Sequence, residues 1–305
     1  MTRAGLTLAE AETAAVSNFH AIISFVTDFT RHETTMGYPF QITVHSEYSL
    51  HSIQPVIRLA CHTIDALEAI FNFENNDSII NKYNRGELRL DETPKLFQEV
   101  MMECLTWQKI TGGIFTPFNQ SLLATNHAGN IFDPRGILKS YSMKLLSEML
   151  TAFNLPDHRI QVWDDIYISD THDKQENWTV NFTQPLTLTE SKQNILKLNF
   201  KNTHMRAISK SNIQDNQGSI WIKNMCQPIV ADFSETTIIA NSPIASDVWS
   251  LVCLAEGEKA LTRIENYNKQ MIEQNTPENT IEGLMVTGDY QYVYTSGFKQ
   301  YIETV

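Results

Sequence analysis

The sequence predicts an α+β fold, in which helices and antiparallel-looking strands come in blocks along the chain. The chain has 305 residues, of which 42% are hydrophobic and 19% charged, so it can build one large domain or two closely packed ones. Several long segments carry apolar residues at intervals of three and four, as amphipathic helices do. Short runs that alternate like strands follow between residues 160 and 240. No internal repeat, low-complexity segment or linker interrupts this order.

The first part of the chain predicts a leader helix, one strand and two long helices. Residues 7–31 are amphipathic at helical spacing, so we assign residues 1–32 to a leader helix and residues 33–305 to a single domain. The patterns that follow predict a strand at 36–45 and helices at 55–73 and 94–110. The apolar residues that indicate the helix at 55–73 are Val56, Leu59, Ala60, Ile64, Leu67 and Phe71.

The second part of the chain predicts two further helices that enclose a set of short strands. A helix is expected at 136–153, with apolar residues that include Tyr141 and Leu146 on one face. A long helix is expected at 244–270, with Ser242 as its cap and Pro243 in its first turn. The strands are expected at 160–169, 178–182, 195–200, 206–211, 219–223 and 236–240, with a closing pair at 284–294.

Charge and hydropathy exclude several kinds of partner. The net charge is −12 and no run of Lys or Arg occurs, which argues against nucleic acid or an anionic membrane surface as the main partner. No uninterrupted apolar stretch has the length of a membrane span. As written, the sequence has no signal peptide or lipoprotein cysteine motif, so we expect a cytoplasmic protein, or a periplasmic one if an export signal has been removed.

The start of the helix at 136–153 is a candidate anion site. Gly136 lets backbone N–H groups approach an anion, and Lys139 in the first turn adds a positive charge. The alternative is an ordinary loop-to-helix junction with a solvated lysine. The residues alone leave both interpretations open.

Eight short segments, taken in order, resemble those of one enzyme family. They are MGYPF at 36–40, SIINKYN at 78–84, TGGIFTP at 111–117, GILKSY at 136–141, WDDI at 163–166, the strand from Trp178, AISKS at 207–211 and ASDVWS at 245–250. Together they are similar to the motifs of the ApbE family, the FAD:protein FMN transferases. The resemblance covers roughly residues 33–300.

The resemblance implies both a fold and a reaction. The fold has two interlocked α+β parts with mainly antiparallel sheets and a cleft between them that holds FAD. The reaction is the Mg²⁺-assisted transfer of FMN from FAD to a threonine of a target protein, with release of AMP. Attack on a pyrophosphate needs its negative charge offset, which a cation with oxygen ligands can do. The partners implied are therefore a flavin nucleotide and an acceptor protein.

The resemblance also assigns roles to individual residues. It implies that Lys139 and Asp165 are catalytic, and that the Asp247 carboxylate and the Leu138 backbone carbonyl bind Mg²⁺. The residues that it places against the flavin nucleotide are Met36, Gly37, Phe115, Lys139, Asp165 and Ser211. The structural alternatives are that Asp247 is a first-turn residue favoured by the helix dipole and that Asp165 is a strand-end turn residue.

Several site positions depart from the family pattern. Leu251 stands where the second metal ligand, a threonine, is expected, and Thr116 replaces an aspartate. Trp163 and Asp164 replace two glycines, which permit positive φ or close backbone approach, so we expect Trp163 to crowd the path of the ligand. Residues 218–223 lack the family's histidine segment.

Three functions therefore remain open. The protein is a divergent flavin transferase, a catalytically degenerate member that binds FAD or another nucleotide without transfer, or a scaffold that acts through protein–protein contacts. The retention of Lys139, Asp165 and Asp247 favours the first two functions. The loss of the histidine segment, the metal threonine and the glycine pair favours the last two.

Overall fold

The structure, a computed structural model, describes seven ranges of the chain. These are residues 27–119, 131–169, 179–183, 195–200, 203–212, 233–287 and 291–302. The predicted strand at 219–223 lies outside them, as does the leader segment up to residue 26.

A β-hairpin opens the described part of the chain. Strand β1 (Thr27–Thr35) pairs antiparallel with β2 (Tyr38–Ser46) across a two-residue turn. Met36 and Gly37 form this turn with φ of 55° and 73°, the geometry that two-residue hairpin loops favour. The prediction of helix for residues 27–31 is therefore wrong, because the nine-residue pairing with β2 determines their conformation.

Four helices occupy the middle of the chain. They are α1 (Leu50–Ile70), α2 (Ile79–Asn84), α3 (Lys95–Ile110) and α4 (Arg135–Ala152), and α3 and α4 match the predicted bounds within one residue. Helix α1 begins at Leu50, before the predicted residue 55. Its buried face therefore includes Ile53 in addition to Ile57. Leu59, which the periodicity placed on that face, is instead 48% exposed.

One eight-stranded sheet combines strands from the early and the late parts of the described chain. Its order is β1-β2-β5-β6-β9-β10-β11-β12, and every neighbouring pair is antiparallel. The remaining strands of this sheet are β5 (His158–Val162), β6 (Asp165–Ile168), β9 (Ala207–Asn212), β10 (Phe233–Ala240), β11 (Glu282–Thr287) and β12 (Tyr292–Tyr294). Two separate pairs are β3 (Phe118–Asn119) with β4 (Ile131–Phe132) and β7 (Thr179–Thr183) with β8 (Ile195–Asn199).

Two predicted elements are divided in the structure. The single strand expected at 160–169 is the tight hairpin of β5 and β6, with Trp163 and Asp164 in its turn. The helix expected at 244–270 is two helices, α5 (Pro243–Glu256) and α6 (Glu258–Glu273), divided at Gly257. Ser242 caps α5 as predicted, since its side chain accepts a hydrogen bond from the N–H of Ala245.

The sheet has apolar residues on both faces. On β10, Ile238 belongs to a cluster with α3, α5 and α6, and its neighbour Ile239 belongs to a cluster on the other face. A third cluster lies between β2, β5, α1 and α4. Helix α5 is buried on nearly every side, as expected for a helix that is apolar all round. The α+β prediction with mainly antiparallel sheets is confirmed.

None of the helices in the described ranges has the length and hydropathy that crossing a membrane requires.

Candidate functional site

Three elements that are far apart in sequence bring one lysine and two aspartates together. Lys139 projects from the first turns of α4, Asp165 is the first residue of β6, and Asp247 lies near the start of α5. The Nζ atom of Lys139 lies 2.5 Å from Oδ2 of Asp165 and 3.4 Å from Oδ1 of Asp247. We call these three residues the charged centre. All of them were predicted site residues.

The charged centre is largely shielded from solvent. The two aspartate side chains are buried, and that of Lys139 is 18% exposed. Burial alone lowers the pKa of Lys139, but the carboxylates of Asp165 and Asp247 outweigh it and hold that pKa above its ordinary value. Burial raises the pKa of Asp165 to about 6; Lys139 opposes this shift and Asp247 adds to it. The pKa of Lys139 is raised because two carboxylates face its ammonium group. The pKa of Asp165 is raised because the carboxyl group is buried and lies near a second carboxylate.

The β5–β6 hairpin places the Asp165 carboxylate. Val162 pairs with Asp165, so the turn residues project beyond the sheet while Asp165 is held in register. Its Oδ1 accepts a hydrogen bond of 3.0 Å from the backbone N–H of Lys210 on β9. Its Oδ2 is buried and lies in the ion pair with Lys139 Nζ. One oxygen is therefore fixed by the sheet, and the other is held by the Lys139 ammonium group.

Serine pairs fasten α5 to the sheet on either side of Asp247. Ser209 and Ser211 alternate along β9 and meet Ser246 and Ser250 of α5 at Oγ–Oγ distances of 2.9 and 2.7 Å. Ser250 also donates to the carbonyl of Asp247. Ser211, predicted to contact the nucleotide, is buried in this contact with α5. The strand alternation turns its side chain towards the helix, and its contact with a nucleotide stays a prediction.

A second ion pair lies at the start of α4, the helix that carries Lys139. Asp133 is buried and pairs with Arg135 at 2.6 Å, and the Arg135 guanidinium lies 4.5 Å from the centre of the Phe73 ring.

Burial raises the pKa of Tyr38; Lys139 opposes this shift, whereas Asp247 adds to it. The Tyr38 hydroxyl is thus within electrostatic reach of the charged centre. Neither Tyr38 nor Arg135 was predicted as a site residue, although both flank segments that were.

The turn at Met36 and Gly37 is tied to the helices next to the charged centre. The N–H of Met36 donates to Glu68 of α1 at 2.9 Å. Ser142 Oγ on α4 lies 3.2 Å from Met36 Sδ and 2.7 Å from the carbonyl oxygen of Leu138. The turn predicted to contact a nucleotide therefore lies beside α4, the helix that carries Lys139.

Two other predicted positions have apolar surroundings. Phe115 is 1% exposed and packs within the main hydrophobic cluster, so its side chain cannot contact a ligand unless the core opens. The structure thus gives the Phe115 side chain a role in packing. Leu251, at the expected position of the metal-binding threonine, is buried and offers no oxygen. The predicted departure at residues 218–223 lies outside the described ranges.

Trp163 does not fill the charged centre. Its side chain is 58% exposed and packs edge-on against Tyr38, with ring centres 5.0 Å apart. Its φ of 51° is the positive value that a glycine would adopt at this place in the turn. The turn directs much of the indole towards solvent, and the expected crowding of a ligand path by Trp163 stays a prediction.

The donor set suits a Mg²⁺ ion that is held partly by a substrate. Mg²⁺ is commonly bound through one or two carboxylates together with substrate phosphates and water. Asp247 supplies one carboxylate and Asp165 a second, both paired with Lys139, whereas the Leu138 carbonyl already accepts a hydrogen bond from Ser142 Oγ within α4. Within the described ranges, no group of three or more His, Cys, Asp and Glu side chains forms a metal cluster by itself. The residues present therefore fit Mg²⁺ only together with a phosphate ligand.

Solved structures share this arrangement of strands and helices. The flavin transferase ApbE from Vibrio cholerae superposes with a TM-score of 0.66 at 14% identity, covering 90% of this chain and 99% of that one. The flavinyl transferase ApbE from Pseudomonas stutzeri, in its apo form, gives 0.68 at 13% identity, covering 90% and 97%. The chain has the ApbE fold.

A third structure extends this result. The ApbE protein from Thermotoga maritima superposes with a TM-score of 0.69 at 13% identity, covering 91% of this chain and all of the other. No family model and no curated protein matches the sequence. At 13–14% identity the structural likeness establishes the ApbE fold, and the charged centre must support the function by its own chemistry.

Proposed function

We propose that this protein is a flavin transferase-like protein that binds FAD at the charged centre and transfers its FMN part to a threonine hydroxyl of an acceptor protein. The observation that carries the proposal is the buried Lys139 ammonium group between the carboxylates of Asp165 and Asp247, within an ApbE fold. A phosphate ligand needs positive charge, and proton transfer needs a base near neutral pKa. The charged centre supplies both.

Asp165 is the proposed general base. Its pKa of about 6 lies close enough to neutrality for it to be ionised before the reaction and to hold a proton after it. The threonine hydroxyl loses its proton to Asp165, and its oxygen forms a bond to the phosphorus next to the flavin. The bond between that phosphorus and the bridging oxygen breaks, and AMP leaves with the electron pair.

Lys139 and Mg²⁺ are proposed to offset the charge of the pyrophosphate. Lys139 can turn from the carboxylates to a phosphate oxygen, because both are anionic partners for its ammonium group. Mg²⁺ would be held by the Asp247 carboxylate, where it would neutralise phosphate charge, and the Leu138 carbonyl would join it by giving up its hydrogen bond from Ser142. Arg135, half exposed and paired with Asp133, adds positive charge nearby.

A second candidate function is the binding of FAD or another nucleotide without transfer. Two observations favour it: Leu251 removes one side-chain oxygen from the proposed Mg²⁺ site, and Lys139 already neutralises Asp247. A ligand would still meet the same ammonium group. The two candidates thus share a binding step and differ in turnover.

The test is calorimetric titration of the purified protein with FAD, with and without MgCl₂. We expect a Kd on the order of micromolar that Mg²⁺ lowers. Asp247→Asn should abolish the effect of Mg²⁺ and leave Mg²⁺-free binding largely unchanged. Asp164→Asn is the matched control, since Asp164 is an exposed aspartate in the adjacent turn.

Transfer is then measured as release of AMP together with a flavin-fluorescent protein band that survives denaturation, after co-expression with host proteins. Both signals support transfer. FAD binding without either signal supports the second candidate. An absence of FAD binding under both conditions contradicts the proposed function, and an unchanged Mg²⁺ effect in Asp247→Asn contradicts the role of Asp247.

A further inference from the structure

Trp163 combines two features that folding alone does not favour. A large aromatic residue rarely adopts a φ of 51°, because the left-handed region is sterically unfavourable for a residue with a Cβ. The indole is also 58% exposed, so little burial offsets that cost. Residues kept in strained conformations tend to lie at functional sites, where the surrounding structure holds them.

The turn that holds Trp163 is well fixed. The side chain of Gln161 donates to the Trp163 carbonyl at 2.9 Å, and Val162 and Asp165 close the hairpin on either side. The Tyr38 ring contacts the indole edge-on at 5.0 Å. In an edge-on pair one ring presents its face and the other its edge, and the contact orders both side chains. The indole is therefore held in place while more than half of it remains open to a ligand.

Tyr38 connects the indole to the charged centre. Its ring touches Trp163, and its hydroxyl is within electrostatic reach of Lys139 and Asp247. Asp165 follows Trp163 by two residues, so the two Cα atoms are at most about 7 Å apart. The exposed indole thus lies next to Tyr38 and within two residues of Asp165 of the charged centre. A nucleotide has the matching chemistry, since it carries a flat aromatic ring and an anionic phosphate a few bonds apart.

We propose that the Trp163 indole is the stacking platform for an aromatic ring of the nucleotide whose phosphates bind at the charged centre. This rests on the proposed function and adds a positioning residue to it. Stacking of a base on an aromatic side chain contributes about 1–3 kcal/mol. Because every nucleotide ring has a π-face, the platform accepts either flavin or adenine; we assign it to one ring of FAD and let the experiment distinguish which.

The experiment compares Trp163→Leu with Trp163→Phe in the full chain. Both replacements keep a Cβ at the same positive φ, so their backbone cost is matched, and only Phe keeps an aromatic face. Thermal unfolding of each variant verifies the fold. If Trp163→Leu does not fold, Trp163→Asn serves as the non-aromatic variant, because Asn tolerates left-handed backbone.

We expect Trp163→Leu to weaken FAD binding by about 5- to 150-fold, the range that 1–3 kcal/mol corresponds to, and Trp163→Phe to retain most of the affinity. Separate titrations with FMN and AMP assign the ring, because only the ligand whose ring stacks loses affinity in Trp163→Leu. If the stacked ring is flavin, the fluorescence of FMN falls when it binds to the wild type and falls less when it binds to Trp163→Leu.

The outcomes separate the two proposals. Equal FAD affinity in the wild type and Trp163→Leu overturns the stacking role while the proposed function stands. An equal loss of FAD affinity in Trp163→Leu and Trp163→Phe also overturns the stacking role, since the turn rather than the aromatic face would then determine the affinity. If the wild type binds neither FAD nor FMN nor AMP, both proposals are overturned.

Discussion

Lys139 is the residue on which the charged centre depends. It is the only cation that the structure describes in an ion pair with Asp165 or Asp247. Removing one member of a buried ion pair leaves the other charge without compensation and typically costs about 3–5 kcal/mol. The stability of the folded chain and the charge of its candidate site therefore depend on the same side chain.

Lys139→Met should lower the free energy of unfolding by about 3 kcal/mol, because two buried carboxylates lose their counter-charge. The measurement is urea unfolding followed by circular dichroism. Lys144→Met is the control on the same helix: Lys144 pairs with Glu103 at 3.3 Å but is more exposed, so a loss of at most about 1 kcal/mol is expected.

The same variant tests whether the carboxylates can hold a divalent cation. MnCl₂ should raise the melting temperature of Lys139→Met more than that of the wild type, since a bound cation stabilises the folded state alone. Equal shifts in the two proteins would mean that the carboxylates do not converge on one cation. Equal stability of the methionine variants at 139 and 144 would mean that the charged centre is not buried as described.

At the scale of single residues, the sequence predicted the charged centre through resemblance and missed what surrounds it. Lys139, Asp165 and Asp247 were all named, because each lies in a short segment that resembles a motif. Tyr38 and Arg135 were not, because their role comes from contacts between elements that no local pattern encodes. The positive φ of Trp163 was foreseeable, since the motif that this segment resembles has a glycine at that position, but its exposure was not.

At the scale of elements, Gly257 explains why one predicted helix is two. The periodicity of α5 continues into α6, so a single helix was expected. Gly257 adopts φ 61° and ψ −140°, a region that is essentially restricted to glycine, and thereby starts α6 in a new direction. A Cβ at this position would lie 2.9 Å from Cε2 of Phe233 on β10. Backbone conformation and packing therefore both require glycine here.

Gly257→Ala should destabilise the protein by about 2–4 kcal/mol, the sum of a strained backbone and an overpacked contact. Gly86→Ala is the control, because Gly86 also has positive φ, 75°, with no atom within 4 Å of the added Cβ. Gly86→Ala should lower the free energy of unfolding by only about 1–2 kcal/mol. Urea unfolding of both variants separates the two causes, and equal losses would exclude the contact with Phe233.

At the scale of the whole molecule, the sequence predicted the fold class better than the arrangement of its parts. Helices α3 and α4 were both located within one residue. The strand order, in which β2 pairs with β5 and β6 with β9, is non-local and is determined by how the two faces of the sheet are covered. Only this pairing brings Asp165 next to α4 and α5, so the charged centre is a property of the topology.

His158 links the stability of this arrangement to pH. It is fully buried on β5, where its ring nitrogens lie 2.8 Å from the Leu155 carbonyl oxygen and 2.7 Å from Ser147 Oγ of α4. Burial lowers the pKa of His158 below its ordinary value of 6.5, and the bond to Leu155 opposes this shift only in part. Below pH 6.5 the unfolded chain therefore takes up a proton that the folded chain does not.

The stability that neutral His158 confers is fully present above about pH 6.5 and is lost as the pH falls towards its folded pKa, at up to about 1.4 kcal/mol per pH unit. Compared with the wild type, His158→Gln should show a weaker decline in the free energy of unfolding between about pH 7.5 and 5.5. Asp165 acts in the opposite direction, because its raised pKa of about 6 favours folding as the pH falls. Both proteins contain Asp165, so the difference between their urea-unfolding curves isolates His158. A difference that stays constant across this range would mean that His158 titrates alike in the folded and unfolded protein, as an exposed ring would.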